Sequence, residues 1–172
     1  MGNSSASGIA PRTVEAGPSI HDFDFYIGTW HVHHRRLKER LVGSDEWQEF
    51  DGTSTAWTLL GGAGNVDDNV LELPDGPYRA VSLRSFDPWS ETWSIWWLDG
   101  RNPGTLDPPV VGRFKDGVGT FIGDDILDGQ PILVRFLWSD ITDRTCRWEQ
   151  AFSVDGGRTW EVNWIMESRR LD

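Results

Sequence analysis

Trp30-His31-Val32-His33-His34-Arg35-Arg36 gathers three of the chain's four histidines beside two arginines. In an extended strand, successive side chains point to opposite faces. Trp30, Val32, His34 and Arg36 then share one face, and Thr29, His31, His33 and Arg35 share the other. If Trp30 points inward, His34 and Arg36 line whatever the strand encloses. An enclosed Arg/His pair can hold a carboxylate, enolate or phenolate through charge-assisted hydrogen bonds. The competing arrangement is a solvated basic strand answered by Asp45, Glu46 and Glu49. His31 and His33 have the i, i+2 spacing of two metal ligands on one strand face. No histidine follows His34 to complete such a site, so no metal is expected.

A second candidate is Gly64-Asn65-Val66-Asp67-Asp68-Asn69-Val70-Leu71. Val66 and Val70 flank Asp68 on one face. A carboxylate between apolar side chains has a raised pKa and can act as a general acid or base. Solvated near the strand's start, the same residues would only cap a turn. A third candidate is Trp93-Ser94-Ile95-Trp96-Trp97-Leu98-Asp99. Here Trp93, Ile95 and Trp97 share a face ending at Asp99, and a long loop to Pro109 is placed to close a cavity mouth. Cys146, the single cysteine, reads as a buried thiol rather than a nucleophile. There is no glycine-rich dinucleotide or phosphate loop and no Gly-x-Ser-x-Gly elbow.

The elements that must position these residues are strands. The alternation predicts strands near 28–40, 46–59, 65–73, 78–87, 92–99, 109–115, 118–124, 131–140, 144–153 and 159–168. Turn chemistry separates them at Val42-Gly43-Ser44-Asp45, Pro74-Asp75-Gly76-Pro77, Asp87-Pro88-Trp89-Ser90, Lys115-Asp116-Gly117, Leu127-Asp128-Gly129 and Asp155-Gly156-Gly157. About ten strands with short links imply an all-β fold, a single antiparallel up-and-down barrel whose closure removes its edges. Residues 1–20, rich in Gly, Ser, Ala and Pro, read as a flexible tail, and 21–172 as the barrel domain. Asp22 is placed to N-cap a short helical turn before the first strand.

The last hairpin, centred on Gly156, predicts Phe152 opposite Trp160, Gln150 opposite Val162, Trp148 opposite Trp164 and Cys146 opposite Met166. That register puts the apolar bulk on one face. Arg147, Glu149, Glu161, Asn163 and Glu167 take the other. Ser153-Val154-Asp155-Gly156-Gly157-Arg158-Thr159-Trp160 matches the Asp-box pattern, read here as a folding device at a hairpin.

The 172 residues carry a net charge of −11, which repels nucleic-acid backbones and anionic membranes. No apolar run is long enough to cross a bilayer as a helix. A lone thiol fits a reducing compartment, so a cytoplasmic location is expected. A homodimer is left open.

Phe23-Asp24-Phe25-Tyr26-Ile27-Gly28-Thr29-Trp30, then Phe86-Asp87-Pro88 with Thr92-Trp93-Ser94-Ile95-Trp96-Trp97, then the Ser153–Trp160 motif, resemble a family of uncharacterised bacterial lipocalin-like (calycin) proteins. The resemblance covers roughly residues 22–168 and implies a barrel with a central pocket. Similar barrels include fatty-acid-binding proteins, nitrobindin-type haem proteins, and enzymes that cyclise or decarboxylate small molecules. The nitrobindin-type haem ligand lies late in its chain, where this chain has no histidine, so no cofactor is expected. The expected function is binding of an aromatic or partly apolar small molecule bearing an anionic group. Trp97, Trp148 and Trp164 would be the walls, Gln150 would orient the ligand, and His34 and Arg36 would anchor its charge. One alternative is a cofactor-free cyclase, isomerase or decarboxylase with His34 or Asp68 as acid/base. Another is a carbohydrate-binding module with exposed, coplanar tryptophans.

Overall fold

The computed structural model describes residues 18–172. The strands are β1 (Gly28–Leu37), β2 (Trp47–Leu59), β3 (Gly64–Leu73), β4 (Gly76–Asp87), β5 (Thr92–Asp99), β6 (Val110–Lys115), β7 (Val118–Leu127), β8 (Gln130–Ser139), β9 (Thr145–Ser153) and β10 (Glu161–Arg170). Each pairs antiparallel with its neighbour in sequence, and β1 also pairs with β10, closing the barrel. The expected all-β, ten-strand up-and-down barrel is what forms. The expected tail lies mostly outside the described residues, which begin at residue 18.

Local chemistry explains the meander. Asp116-Gly117 and Asp128-Gly129 each have positive φ at both residues and close the two-residue hairpins β6–β7 and β7–β8. That conformation matches the twist of the flanking strands, and Asp-Gly adopts it readily. At Ser153–Trp160 the Asp-box behaves as a folding device. Asp155 Oδ1 accepts the Arg158 and Thr159 backbone N–H groups at 3.0 and 2.9 Å, and Thr159 Oγ1 donates to Asp155 Oδ2 at 2.7 Å. Gly157 N–H donates to Ser153 Oγ at 2.9 Å. The bonds that Asp155 accepts from Thr159, Ser153 and Arg158 hold its carboxyl far below the usual carboxylate range.

A short 3₁₀ turn, Asp24–Tyr26, corks one end of the barrel. Phe23 is buried there, with its ring edge-on to Trp93, Phe114 and Trp138 at centroid distances of 5.0, 4.9 and 5.6 Å. Asp22 does not cap this turn. Phe23 stands at the N-cap without a side-chain bond, and Asp22 Oδ2 instead accepts the Ser19 N–H at 2.9 Å.

Two register details depart from expectation. In β9–β10, Gln150 faces Trp164, Trp148 faces Met166 and Cys146 faces Ser168: Phe152 already faces Glu161, a one-residue shift set at the turn, and a bulge between Val162 and Trp164 adds a second. The extra residue, Asn163, turns inward and is fully buried instead of joining the outer face. Trp160 lies against Arg135, 4.6 Å from its guanidinium, and pairs with nothing across the hairpin. In β3 the faces are also reversed. Asn65, Asp67 and Leu71 are buried, while Val66, Asp68 and Val70 point outward. Val66 sits in register between Trp57 and Leu83, both exposed, so these three form an apolar strip on the outer face of β2–β4.

Candidate functional site

β1 enters the barrel with Trp30, Val32 and His34 buried at 0 %, 2 % and 3 % exposure, so the Trp30 face is the interior face. The other face carries His31, His33 and Arg35 to the surface. There His33 Nδ1 lies 3.0 Å from Asp51 and His33 Nε2 3.3 Å from Glu49. No group of three or more His, Cys, Asp or Glu side chains among the described residues is arranged to hold a metal ion. No helix among them is long and apolar enough to cross a membrane.

Opposite the corked end, the barrel opens into a cavity of about 220 Å³. Trp97, Trp148 and Trp164 form its floor and walls, with Phe136, Ile95 and Met166. Trp164 meets Trp97 and Trp148 edge to face at 5.8 and 5.6 Å, with interplanar angles of 85° and 89°. Aromatic rings prefer this geometry, and it fixes each indole against the next. Gln150 also lines the cavity. Its Nε2 donates to Asn163 Oδ1 at 2.8 Å, so the bulge residue orients the amide.

The mouth is charged. Arg36, Arg40 and Arg101 line it, with Asp99, Asp107, Asp124 and Asp125. Arg101 donates from Nη2 to Asp99 at 2.6 Å, and its guanidinium lies 3.8 Å from the centroid of the Tyr78 ring. Arg36 lies 4.7 Å over the Trp164 ring and reaches Tyr78 Oη at 3.5 Å. Neither Arg36 nor Arg40 has a carboxylate within 4.0 Å among the described residues. Arg40 Nε is buried without a partner. Burial, with Arg36 nearby, pushes Arg40 down to about 10, so it remains charged at neutral pH. The loop that carries Arg40 is pinned by Glu161, whose carboxylate accepts the Leu41 N–H at 2.9 Å. Burial raises Asp107, and Asp125 and Asp99 add to that shift. The β5–β6 loop does close over the rim, with Asp107 N–H donating to Trp97 O at 2.9 Å.

Of the residues singled out by sequence, Arg36, Trp97, Trp148, Gln150 and Trp164 line this cavity. His34 does not. It lies behind Trp164, whose Nε1–H it accepts at Nδ1 across 3.2 Å, and its ring stacks on Phe50 at 4.6 Å. Burial, reinforced by His33 and Arg36, pushes His34 down to about 3, so it is neutral and anchors no anion. Asp68 faces solvent and is paired with Arg79. Acid/base chemistry through His34 or Asp68 therefore has no support in the geometry. Cys146 is buried, and its thiol is pushed up to about 12 by that burial.

Sequence reasoning missed Arg40, Tyr78 and Arg101, which lie in loops or at strand ends where alternation carries no signal. It also missed the buried pair Asp67–Arg84, 2.6 Å apart at the inner end of the barrel. The available signal was the run Ala80-x-Ser82-x-Arg84-x-Phe86, which places Arg84 on the Phe86 face.

No family model matches the chain, and no curated protein matches it in sequence. Among solved structures, the chain is similar to an S-type phycobiliprotein lyase of Guillardia theta, with a TM-score of 0.53 at 9 % identity. The match covers 87 % of this chain and 90 % of that one. At that identity the likeness shows a shared lipocalin-like barrel fold.

Proposed function

We propose that the protein binds a small, aromatic or partly apolar molecule with an anionic group, held in the tryptophan-walled cavity. The observation that carries this reading is that Arg36 and Arg40, without carboxylate partners among the described residues, line the same cavity as Trp97, Trp148 and Trp164, with Arg36 over the Trp164 ring. Mostly apolar walls with a few polar groups are the usual make-up of a small-molecule site. A guanidinium at the mouth supplies charge-assisted bonds to a carboxylate or phenolate. Arg36 and Arg40 take the anchoring role first given to His34 and Arg36. His34 instead braces Trp164 from behind. Gln150 orients the ligand from its fixed amide.

A cytoplasmic location and membership of the lipocalin-like family belong to this same proposal, supported by the lone buried thiol and by Gly28-Thr29-Trp30 opening β1 and Thr92–Trp97 lying in β5. The likeness to a phycobiliprotein lyase adds the fold and no ligand. A carbohydrate platform is less well supported, because most of the tryptophans face inward or are partly buried, with Trp57 and Trp89 as the exposed ones.

The test is tryptophan fluorescence titrated with a panel of aromatic acids, polyketides and lipids. Saturable quenching or a spectral shift by aromatic acids is expected. If no class perturbs the emission, the binding reading fails.

A further inference from the structure

Two donors at the inner end of the barrel have nothing to donate to. Arg84 Nε and Trp138 Nε1 are buried and without hydrogen-bond partners among the described residues. Both residues are 2 % exposed. Both line a chamber of about 20 Å³ that Tyr26, Asp67, Asn69 and Ser82 also border.

The Arg84 side chain is not free to turn Nε elsewhere. One terminal nitrogen donates to Asn65 Oδ1 at 2.9 Å and the other to Asp67 Oδ2 at 2.6 Å. The guanidinium also sits among three rings, 5.2 Å from the centroids of Phe23 and Tyr26 and 5.4 Å from that of Trp138. Asp67 is itself occupied by the Ser82 N–H at 3.0 Å and by the Asn69 side-chain amide. Buried donors left without an acceptor are rare in folded proteins. Arginine and indole offer no lone pair, so the occupant of the chamber must supply one. The volume fits one oxygen centre.

The chamber adjoins the ligand cavity. Ile95, Trp97, Phe136, Trp148 and Met166 border both. Met166 is the unbranched, flexible member of that partition and the easiest to turn aside. From Val134 in the cavity wall to Trp138 in the chamber wall is four residues of β8, about 13 Å at strand rise.

We propose that this chamber is the inner subsite of the cavity, which takes a carbonyl or carboxylate oxygen at the far end of the ligand between Arg84 Nε and Trp138 Nε1. The proposal rests on the binding reading above. The favoured ligand is then an elongated one, anionic at the rim and oxygen-terminated inside.

The experiment compares 4′-acetylbiphenyl-4-carboxylate with its isostere 4′-isopropenylbiphenyl-4-carboxylate, by fluorescence titration of the whole chain. The two differ in one acceptor oxygen. A site built to bond a polar group rejects an analogue lacking it, so the ketone should bind about tenfold tighter or better. In Trp138→Phe, which keeps a ring and removes the donor, the preference should fall severalfold. Met166→Phe, which fills the partition and leaves both donors in the chain, should abolish it, and this variant serves if Trp138→Phe does not fold. Equal binding of the two probes by the wild type overturns the inner subsite and leaves the main cavity reading intact, the chamber then holding water. A preference undiminished in Trp138→Phe and Met166→Phe also overturns it. Binding of neither probe overturns the subsite, while the wider fluorescence panel still judges the cavity on its own.

Discussion

His34 accepts the indole hydrogen of Trp164 at Nδ1 across 3.2 Å, joining β1 to β10 from inside the barrel. Accepting at Nδ1 puts the imidazole proton on Nε2, the neutral tautomer that burial also requires. The histidine is thereby a structural brace for one wall of the cavity.

A pH dependence follows from this brace. The folded His34 titrates at about 3, against an unperturbed ~6.5 in the unfolded chain. Between those values the unfolded state binds the extra proton, so stability rises with pH and falls on acidification. The loss approaches about 1.4 kcal/mol per pH unit below ~6. Urea unfolding of wild type and His34→Gln from pH 7 to 4.5 separates this group from the carboxylates, which titrate in both. The wild type should lose more stability by roughly one proton's slope. Parallel curves would show that His34 is not held neutral.

The Asp67–Arg84 pair should cost more to break than to replace. Asp67→Ala leaves a buried guanidinium uncompensated and should cost about 3–5 kcal/mol. Replacing both partners by apolar residues, as in Asp67→Leu with Arg84→Met, should recover only the part due to the bare guanidinium, because the Ser82 N–H and the Asn69 amide still lose their acceptor. Chemical denaturation of the single and double variants measures both. A single variant within about 1 kcal/mol of wild type would mean that the inner end is more hydrated than its burial implies.

At the rim, Arg36→Ala and Arg40→Ala should each weaken binding of 4′-acetylbiphenyl-4-carboxylate by roughly tenfold, the cost of one charge-assisted bond. The effect should shrink in high salt. The methyl ester of the same probe should bind both variants as it binds wild type. Loss of ester binding to the same degree would assign these arginines a packing role instead.

Two glycine substitutions should differ sharply. A Cβ on Gly112 would meet the Thr120 carbonyl oxygen at 1.8 Å, and backbone cannot yield as a side-chain tip can. Gly112→Ala should therefore cost about 3 kcal/mol or more, or prevent folding. Gly104, in the β5–β6 loop, has nothing within 4 Å of the same atom. Gly104→Ala should be neutral or stabilise by up to about 1 kcal/mol. Thermal melts of the two variants decide this.

The strand count, the closure and the inward face of β1 were legible because period-two alternation and Asp-Gly turns are local signals. Trp97, Trp148 and Trp164 were legible for the same reason. Two errors had different causes. Asp68 looked enclosed because valines flank it, but Val66, Asp68 and Val70 face outward, Val66 lying between Trp57 and Leu83, while Asn65 and Asp67 face the Arg84 guanidinium. Alternation identifies two faces without saying which is inside. Asn163 was assigned outward because a bulge adds a residue without leaving a mark in the pattern. The rim arginines lie where the chain leaves the sheet, and only tertiary placement brings Arg36, Arg40 and Arg101 together.

The closing seam between β1 and β10 sets the order in which the chain can fold. Nine of the ten strand pairings join neighbours in sequence and can zip locally, one hairpin at a time. The tenth joins Trp30 to Arg170, 140 residues apart. Closing a loop that long costs roughly 4 kcal/mol in chain entropy if nothing precedes it, and far less once the intervening meander has formed. Seam contacts such as His34 with Trp164 should accordingly form after the rate-limiting barrier and be the first to open. Strengthening them would slow unfolding while leaving the folding rate nearly unchanged.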